Sequence, residues 1–171
     1  MVKFNDLKGK LPSKLFDVLS EKLEELRPCQ EKAVNAGLLD GKNLLVCTPT
    51  ASGKTLVAEM AAIKNILDGK GKAVYIVPLK ALAREKFKDF KERYGAFVKV
   101  SLSMGDLDKS DGYLSDFDLI ITTSEKLDSL IRHRASWINK IGTIIVDEVH
   151  LLNDPGRGRT LEVTLTILKK I

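Results

Sequence analysis

Lys54 and Asp147 are the residues around which this chain could organise chemistry. Lys54 belongs to the run Thr48-Pro49-Thr50-Ala51-Ser52-Gly53-Lys54-Thr55, directly behind the apolar segment Asn43-Leu44-Leu45-Val46-Cys47. A helix opening at Gly53-Lys54-Thr55 would present backbone N–H groups with no intrahelical partner, and the positive end of its dipole, to an anion. Gly53 lets a phosphate approach the backbone, the Lys54 ammonium reaches β/γ-phosphates, and the Thr55 hydroxyl is a hard oxygen ligand for Mg²⁺. Thr48 stands where the first glycine of such a loop is expected. Asp147 opens Asp147-Glu148-Val149-His150 behind a second apolar run, Gly142-Thr143-Ile144-Ile145-Val146. There Asp147 would hold the metal and Glu148 would orient and deprotonate an attacking water. Each half alone has a plain explanation, since a turn can open any helix and exposed strand ends are polar. Together, behind two apolar strands, they point to a nucleoside-triphosphate site.

The elements that must position these residues alternate. The pattern predicts strands over 43–47, 73–77, 97–102, 118–122 and 142–146. Helices are expected over 29–38, 54–67, 80–93, 124–132 and 159–170. Strands alternating with helices imply an α/β fold, a parallel sheet with helices on both faces. Ligands of such sheets bind at the carboxyl ends of the strands, where both motifs fall. Residues 1–25, with Phe4, Leu7, Leu11, Leu15, Phe16 and Leu19, read as an N-terminal helical segment. The triphosphate-binding domain occupies 26–171.

At 171 residues, 44% hydrophobic and 30% charged, the chain has the size and balance of one globular domain. No apolar run approaches the ~20 residues that span a bilayer, so no membrane partner is expected. Its two cysteines support neither a disulfide framework nor a metal cluster. Cys29 should face a loop–helix junction and Cys47 a core strand, which suits a reducing cytoplasm. With two histidines and no matching cysteine pair, zinc is unsupported. The surplus behind the net charge of +5 lies between residues 41 and 100. That suits a polyanion, although a solvated helix face explains Lys86, Lys88 and Lys91 equally well.

Thr50-Ala51-Ser52-Gly53-Lys54-Thr55 with Asp147-Glu148-Val149-His150 resembles the ATP-binding lobe of superfamily 2 helicases with a DExH box. The chain is most similar to the Ski-two-like branch and the archaeal Hjm (Holliday junction migration) DNA helicases. Leu26-Arg27-Pro28-Cys29-Gln30 resembles that family's Q motif and Pro78 to Phe87 its motif Ia. Thr123 to Arg132 resembles the next strand-to-helix motif, and Arg157 to Glu162 the segment after the DExH box. The likeness runs from Leu26 to the end of the chain.

The resemblance implies a P-loop NTPase with a RecA-like sheet, binding ATP and Mg²⁺ and acting in ATP-driven unwinding of nucleic acid. Gln30 would read adenine, Thr50 to Thr55 would cradle the triphosphate, and Thr55 and Asp147 would hold the metal. Lys54, Asp147, Glu148 and His150 would carry the catalytic work, His150 linking the nucleotide and nucleic-acid sites. Pro78, Leu79, Lys80, Gly105, Asp106, Thr123, Ser124 and Arg157 would lie along a nucleic-acid strand. Thr122 to Ser124 can also serve as a helix cap, with Glu125 closing a capping box on Thr122. Single-stranded or branched DNA is the expected partner, with RNA also open because backbone contacts do not report a 2′-OH at sequence level. A non-catalytic nucleotide-binding or nucleic-acid-binding module is the alternative. The resemblance further implies a second RecA-like lobe, absent here, supplying arginine fingers. It also implies a sheet truncated before the motif III strand, whose open position invites dimerisation.

Overall fold

The computed structural model describes residues 3–49, 51–105 and 112–170, so Thr50 and Asp106 lie outside the described residues. The chain divides into two compact units, Met1–Lys70 and Gly71–Ile171.

The first unit begins with a 3₁₀ turn, Phe4–Leu7, and α1, Ser13–Ser20. Both bury their apolar spacing: the Phe4 and Phe16 rings stack 5.2 Å apart, and Leu7 and Leu15 are sealed from solvent. The Phe4 N–H donates to the Glu24 carbonyl at 3.0 Å, closing this segment on itself. Helix α2, Pro28–Asn35, starts where proline is best tolerated, at the first helical position, and Arg27 before it is extended (φ −69°, ψ 156°) as a residue preceding proline must be. A 3₁₀ turn, Leu38–Asp40, follows, and α3 runs Lys54–Leu67, as its pattern predicts, burying Val57, Met60 and Ile63 on one side.

One expected strand does not form. Residues 43–49 adopt no regular structure and pair with no strand among the described residues. Leu45 is 72% exposed, and Cys47 is exposed where a core position was expected. The β-branched and aliphatic composition of this segment favours a strand only if a neighbour takes its backbone groups and apolar side chains, and no described strand does.

The second unit is built on four parallel strands: β1 (Lys72–Val77), β2 (Val100–Ser103), β3 (Leu119–Thr123) and β4 (Ile141–Val146). Their spatial order is β2-β3-β1-β4. β1 pairs with β3 in the register Ala73↔Leu119 to Val77↔Thr123, and with β4 from Ala73↔Thr143 to Ile76↔Val146. Helices α4 (Lys80–Tyr94) and α5 (Ser124–Arg132) connect successive strands, and α6 (Gly158–Leu168) follows β4. Alternation along the strands sorts them onto two faces. Val74, Ile76 and Ile120 pack with Leu127, Leu130, Trp137, Leu161 and Leu168 from the α5–α6 side. Tyr75, on the opposite face, meets Phe90 of α4 edge-on at 5.6 Å. β1 and β3 are buried almost throughout, whereas β4 is only partly covered, with Gly142 exposed, and no described strand pairs with its outer edge.

Candidate functional site

The sequence-predicted site falls into two halves, one in each unit.

In the first unit the loop before α3 is tied from outside by the first turn of α2. Arg27 Nη1 donates to the Ala51 carbonyl at 2.6 Å. Cys29 Sγ donates to the Ser52 carbonyl at 2.8 Å, and Gln30 Nε2 to the Gly53 carbonyl at 3.1 Å. The three consecutive carbonyls of Ala51, Ser52 and Gly53 are thus each held by a side chain from the start of α2. Gln30 Oε1 accepts the Arg27 N–H at 2.9 Å, so one end of the amide caps α2 while the other holds the loop, and the residue is 2% exposed. The backbone is bent to match: Ala51 has φ +63° and Gly53 φ +94°. A Cβ at Gly53 would strike Gln30 Nε2 and come within 3.1 Å of the Arg27 side chain, so glycine is required for both conformation and space.

Lys54 Nζ donates to the Thr48 carbonyl at 2.8 Å, and Thr48 Oγ1 shares a hydrogen bond of 2.6 Å with Ser52 Oγ. The ammonium therefore closes the loop on itself. Thr48, the departure from the usual glycine, is part of that closure. Thr55 follows at the second position of α3, half-buried.

In the second unit Pro78, Ser124, Asp147 and Arg157 line one crevice at the carboxyl ends of the strands, floored by Ile76 and Leu161. The Asp147 N–H donates to the Ile76 carbonyl at 2.9 Å, extending the ladder one residue beyond β4. Its Oδ1 accepts the Glu148 N–H at 3.1 Å. Glu148 itself holds φ +55°, a costly conformation for a residue with a Cβ, and such strain concentrates at functional sites. Its exposed carboxylate lies 3.2 Å from His150 Nδ1. Leu79 and Lys80 are exposed at the start of α4, and Gly105 is exposed with φ +102°. Asp154 Oδ1 accepts the N–H groups of Gly156 and Arg157, both at 2.9 Å, shaping the turn that carries Arg157 into α6. Those bonds, the Arg157 one foremost, hold the Asp154 carboxyl below its ordinary value.

The capping expectation needs correcting by one residue. The cap of α5 is Thr123, whose Oγ1 accepts the Lys126 N–H at 3.5 Å, while Thr122 turns inward and donates to the Ser103 carbonyl at 2.9 Å. Strand β3 runs through Thr123, so the turn and its cap start one residue later than the sequence pattern suggests. Ser124 is buried at the first position of α5. Neither Phe4 nor Phe16 is available to stack on a base, because each is buried against the other.

Sequence reasoning missed Arg27 and Cys29 as loop-holding residues, although both stand inside the segment that carries Gln30. It also missed Tyr75, a fully buried phenol whose hydroxyl donates to Asp147 Oδ2 at 3.5 Å. Only a polar tip in an otherwise apolar strand could have signalled it.

Among the described residues no cluster of three or more His, Cys, Asp or Glu side chains forms a metal cage. Thr55 in the first unit offers a hydroxyl and Asp147 in the second a carboxylate, each a hard oxygen donor of the kind Mg²⁺ takes alongside phosphate oxygens and water.

Residues 27–171 match the profile of the DEAD/DEAH box helicases. The chain belongs to that family. Within it, the chain is 50% identical over 154 residues to the ATP-dependent DNA helicase Hel308 of Pyrococcus abyssi, covering 90% of this chain and 22% of that protein. It is 52% identical over 168 residues to the Hel308 of Methanocella arvoryzae, again with 22% of the relative covered. Among solved structures, the DUF1998 helicase MrfA bound to DNA and AMPPNP superposes with a TM-score of 0.71 at 27% identity, over 84% of this chain and 22% of that one. This DEAD/DEAH box chain therefore spans about a fifth of the length of the relatives it matches. The parallel sheet and helices of its second unit are those expected of the family's RecA-like lobe. No described helix is long and apolar enough to cross a membrane.

Proposed function

We propose that this chain is the ATP-binding lobe of an ATP-dependent DNA helicase of the Ski-two-like branch, working in the cytoplasm. The observation that carries the reading is the loop before α3, whose three successive carbonyls are held by Arg27, Cys29 and Gln30 while Lys54 rests on the Thr48 carbonyl. Lys54 exchanges that carbonyl for the β/γ-phosphates, and the N–H groups at the start of α3 receive the phosphate charge. Gln30 retains one N–H and one Oε1 lone pair after its two bonds, and these match the acceptor and donor of an adenine edge. Thr55 and Asp147 would hold Mg²⁺, which when bound supplies charge neutralisation at the transferring phosphoryl group. The Glu148 carboxylate takes the proton of the attacking water, and His150, beside it, links that event to the nucleic-acid side. Pro78, Leu79, Lys80, Gly105, Asp106, Thr123, Ser124 and Arg157 lie along a single DNA strand. Asp106 belongs to that set by sequence alone. A second lobe would supply the arginine that faces the γ-phosphate. The edge of β4 that no described strand pairs with is where another strand, from a second copy of the chain, would add.

Two measurements test the reading together. Labelled single-stranded DNA and RNA are titrated at two salt concentrations with and without Mg·ATP, and single-turnover hydrolysis is followed in the parent and Glu148→Gln. Nucleotide-dependent DNA binding that weakens steeply with salt, with hydrolysis lost in the variant, is expected. Equal slow hydrolysis in parent and variant would turn the assignment toward a non-catalytic binding module.

A further inference from the structure

Tyr75 sits in β1, 2% exposed. Register places it opposite Ile145, so Asp147, two residues further along, lies on the same face of the sheet as its diagonal neighbour. A long aromatic side chain leaning along its strand reaches that position. The ring is held edge-on by Phe90 at 5.6 Å and 67°, and the hydroxyl donates to Asp147 Oδ2 at 3.5 Å. The other carboxylate oxygen, Oδ1, accepts the Glu148 N–H at 3.1 Å. The backbone beneath is fixed by the Asp147 N–H on the Ile76 carbonyl.

We infer that Tyr75 is a positioning residue for the metal-holding carboxylate of Asp147. A phenylalanine would fill the same space against Phe90, so the hydroxyl's contribution to this contact is its hydrogen bond. With one donor on each oxygen, rotation of the carboxylate about its Cβ–Cγ bond is restrained from both sides. Each oxygen still keeps a lone pair for a metal ion or its water. Partners of this kind, one bond behind the ligand, fix its orientation and are costly to lose. The inference rests on the proposed Mg·ATP site and deepens it: Tyr75 acts on the metal through Asp147 and touches neither ATP nor the metal.

Tyr75→Phe is the test, read by Mn²⁺ binding in the presence of AMPPNP through water-proton relaxation, with Asp147→Asn as the reference for a lost ligand. The expected result is an Mn²⁺ affinity about 3- to 10-fold weaker than the parent, the effect of one hydrogen bond behind a ligand. Metal-free AMPPNP affinity and the melting temperature should stay at parent values, which a merely structural role for the hydroxyl would not produce. Mn²⁺ affinity within twofold of the parent overturns the inference and leaves the nucleotide site standing. A parent that binds Mn²⁺ no better than Asp147→Asn overturns both, because the carboxylate would then hold no metal.

Discussion

Asn43–Cys47 and Ile141–Val146 are nearly the same sequence element, an aliphatic run leading into a motif that could serve a triphosphate, yet only the second is a strand. β4 has β1 on one side, in register from Ala73↔Thr143 to Ile76↔Val146. The earlier segment has no strand partner among the described residues, and Leu45 within it is 72% exposed. Strand propensity describes how well a residue fits a pleated, half-covered surface; it does not create that surface. The consequence reaches the motifs. The Asp147 loop inherits its position from the ladder, through its N–H on the Ile76 carbonyl. The Lys54 loop pairs with no described strand and is held on its carbonyls by Arg27 and by Cys29 and Gln30 of α2.

If that contrast is right, the two loops should fail in different ways. The largest effect belongs to the sheet. Trp137 is sealed from solvent in the core beneath α5 and α6. Trp137→Ala should cost about 3–5 kcal/mol of stability by denaturant unfolding, taking the Asp147 crevice with it. Trp137→Phe should cost far less, because the indole N–H has no hydrogen-bond partner among the described residues. A Trp137→Ala protein that unfolds like the parent would show that the ladder is not what holds this half.

A smaller effect is expected at the other loop. Cys29→Ala removes the donor to the Ser52 carbonyl and should weaken nucleotide binding about 3- to 10-fold, the ~1 kcal/mol of one hydrogen bond, with little change in global stability. Cys29→Ser, which keeps a donor, should recover most of the loss. Isothermal titration of both variants checks this, and equal affinities for Ala and Ser would remove the thiol from the account.

The smallest effect lies at the turn before α6. The Asp154 carboxyl is lowered by the Arg157 and Gly156 N–H groups, so its contribution is present above the ordinary carboxylate range and is lost as pH falls through its depressed folded value. Amide protection at Gly156 and Arg157, measured against intrinsic exchange rates, should therefore fall only below the ordinary carboxylate range in the parent and be absent at every pH in Asp154→Ala. Identical exchange profiles would show that the cap does not order the turn.

Much of this was legible beforehand because its signals were local. Helix α3 begins at Lys54 and α5 spans Ser124–Arg132, as the apolar spacing indicates. The four paired strands each lie where a β-rich run ends in a polar loop. The fifth run failed because pairing is non-local, and nothing in Asn43–Cys47 states whether a neighbour is present. The same reason hid Thr122's inward turn, which depends on the Ser103 carbonyl of β2. In the candidate site, the residues proposed to carry chemistry stand out by motif and spacing. Arg27, Cys29 and Tyr75 were not, because their work consists of reaching a carbonyl or carboxylate 23 to 72 positions away in the chain.

We propose that Lys54, in the first unit, and Asp147, in the second, both contribute to binding Mg·ATP. A double-mutant cycle on Mg·AMPPNP affinity, with Lys54→Met, Asp147→Asn and the pair measured by isothermal titration, tests it most directly. The account predicts strong coupling, with the double variant binding little worse than either single one. Independent, additive losses, or an Asp147→Asn chain that binds Mg·AMPPNP as the parent does, would contradict it.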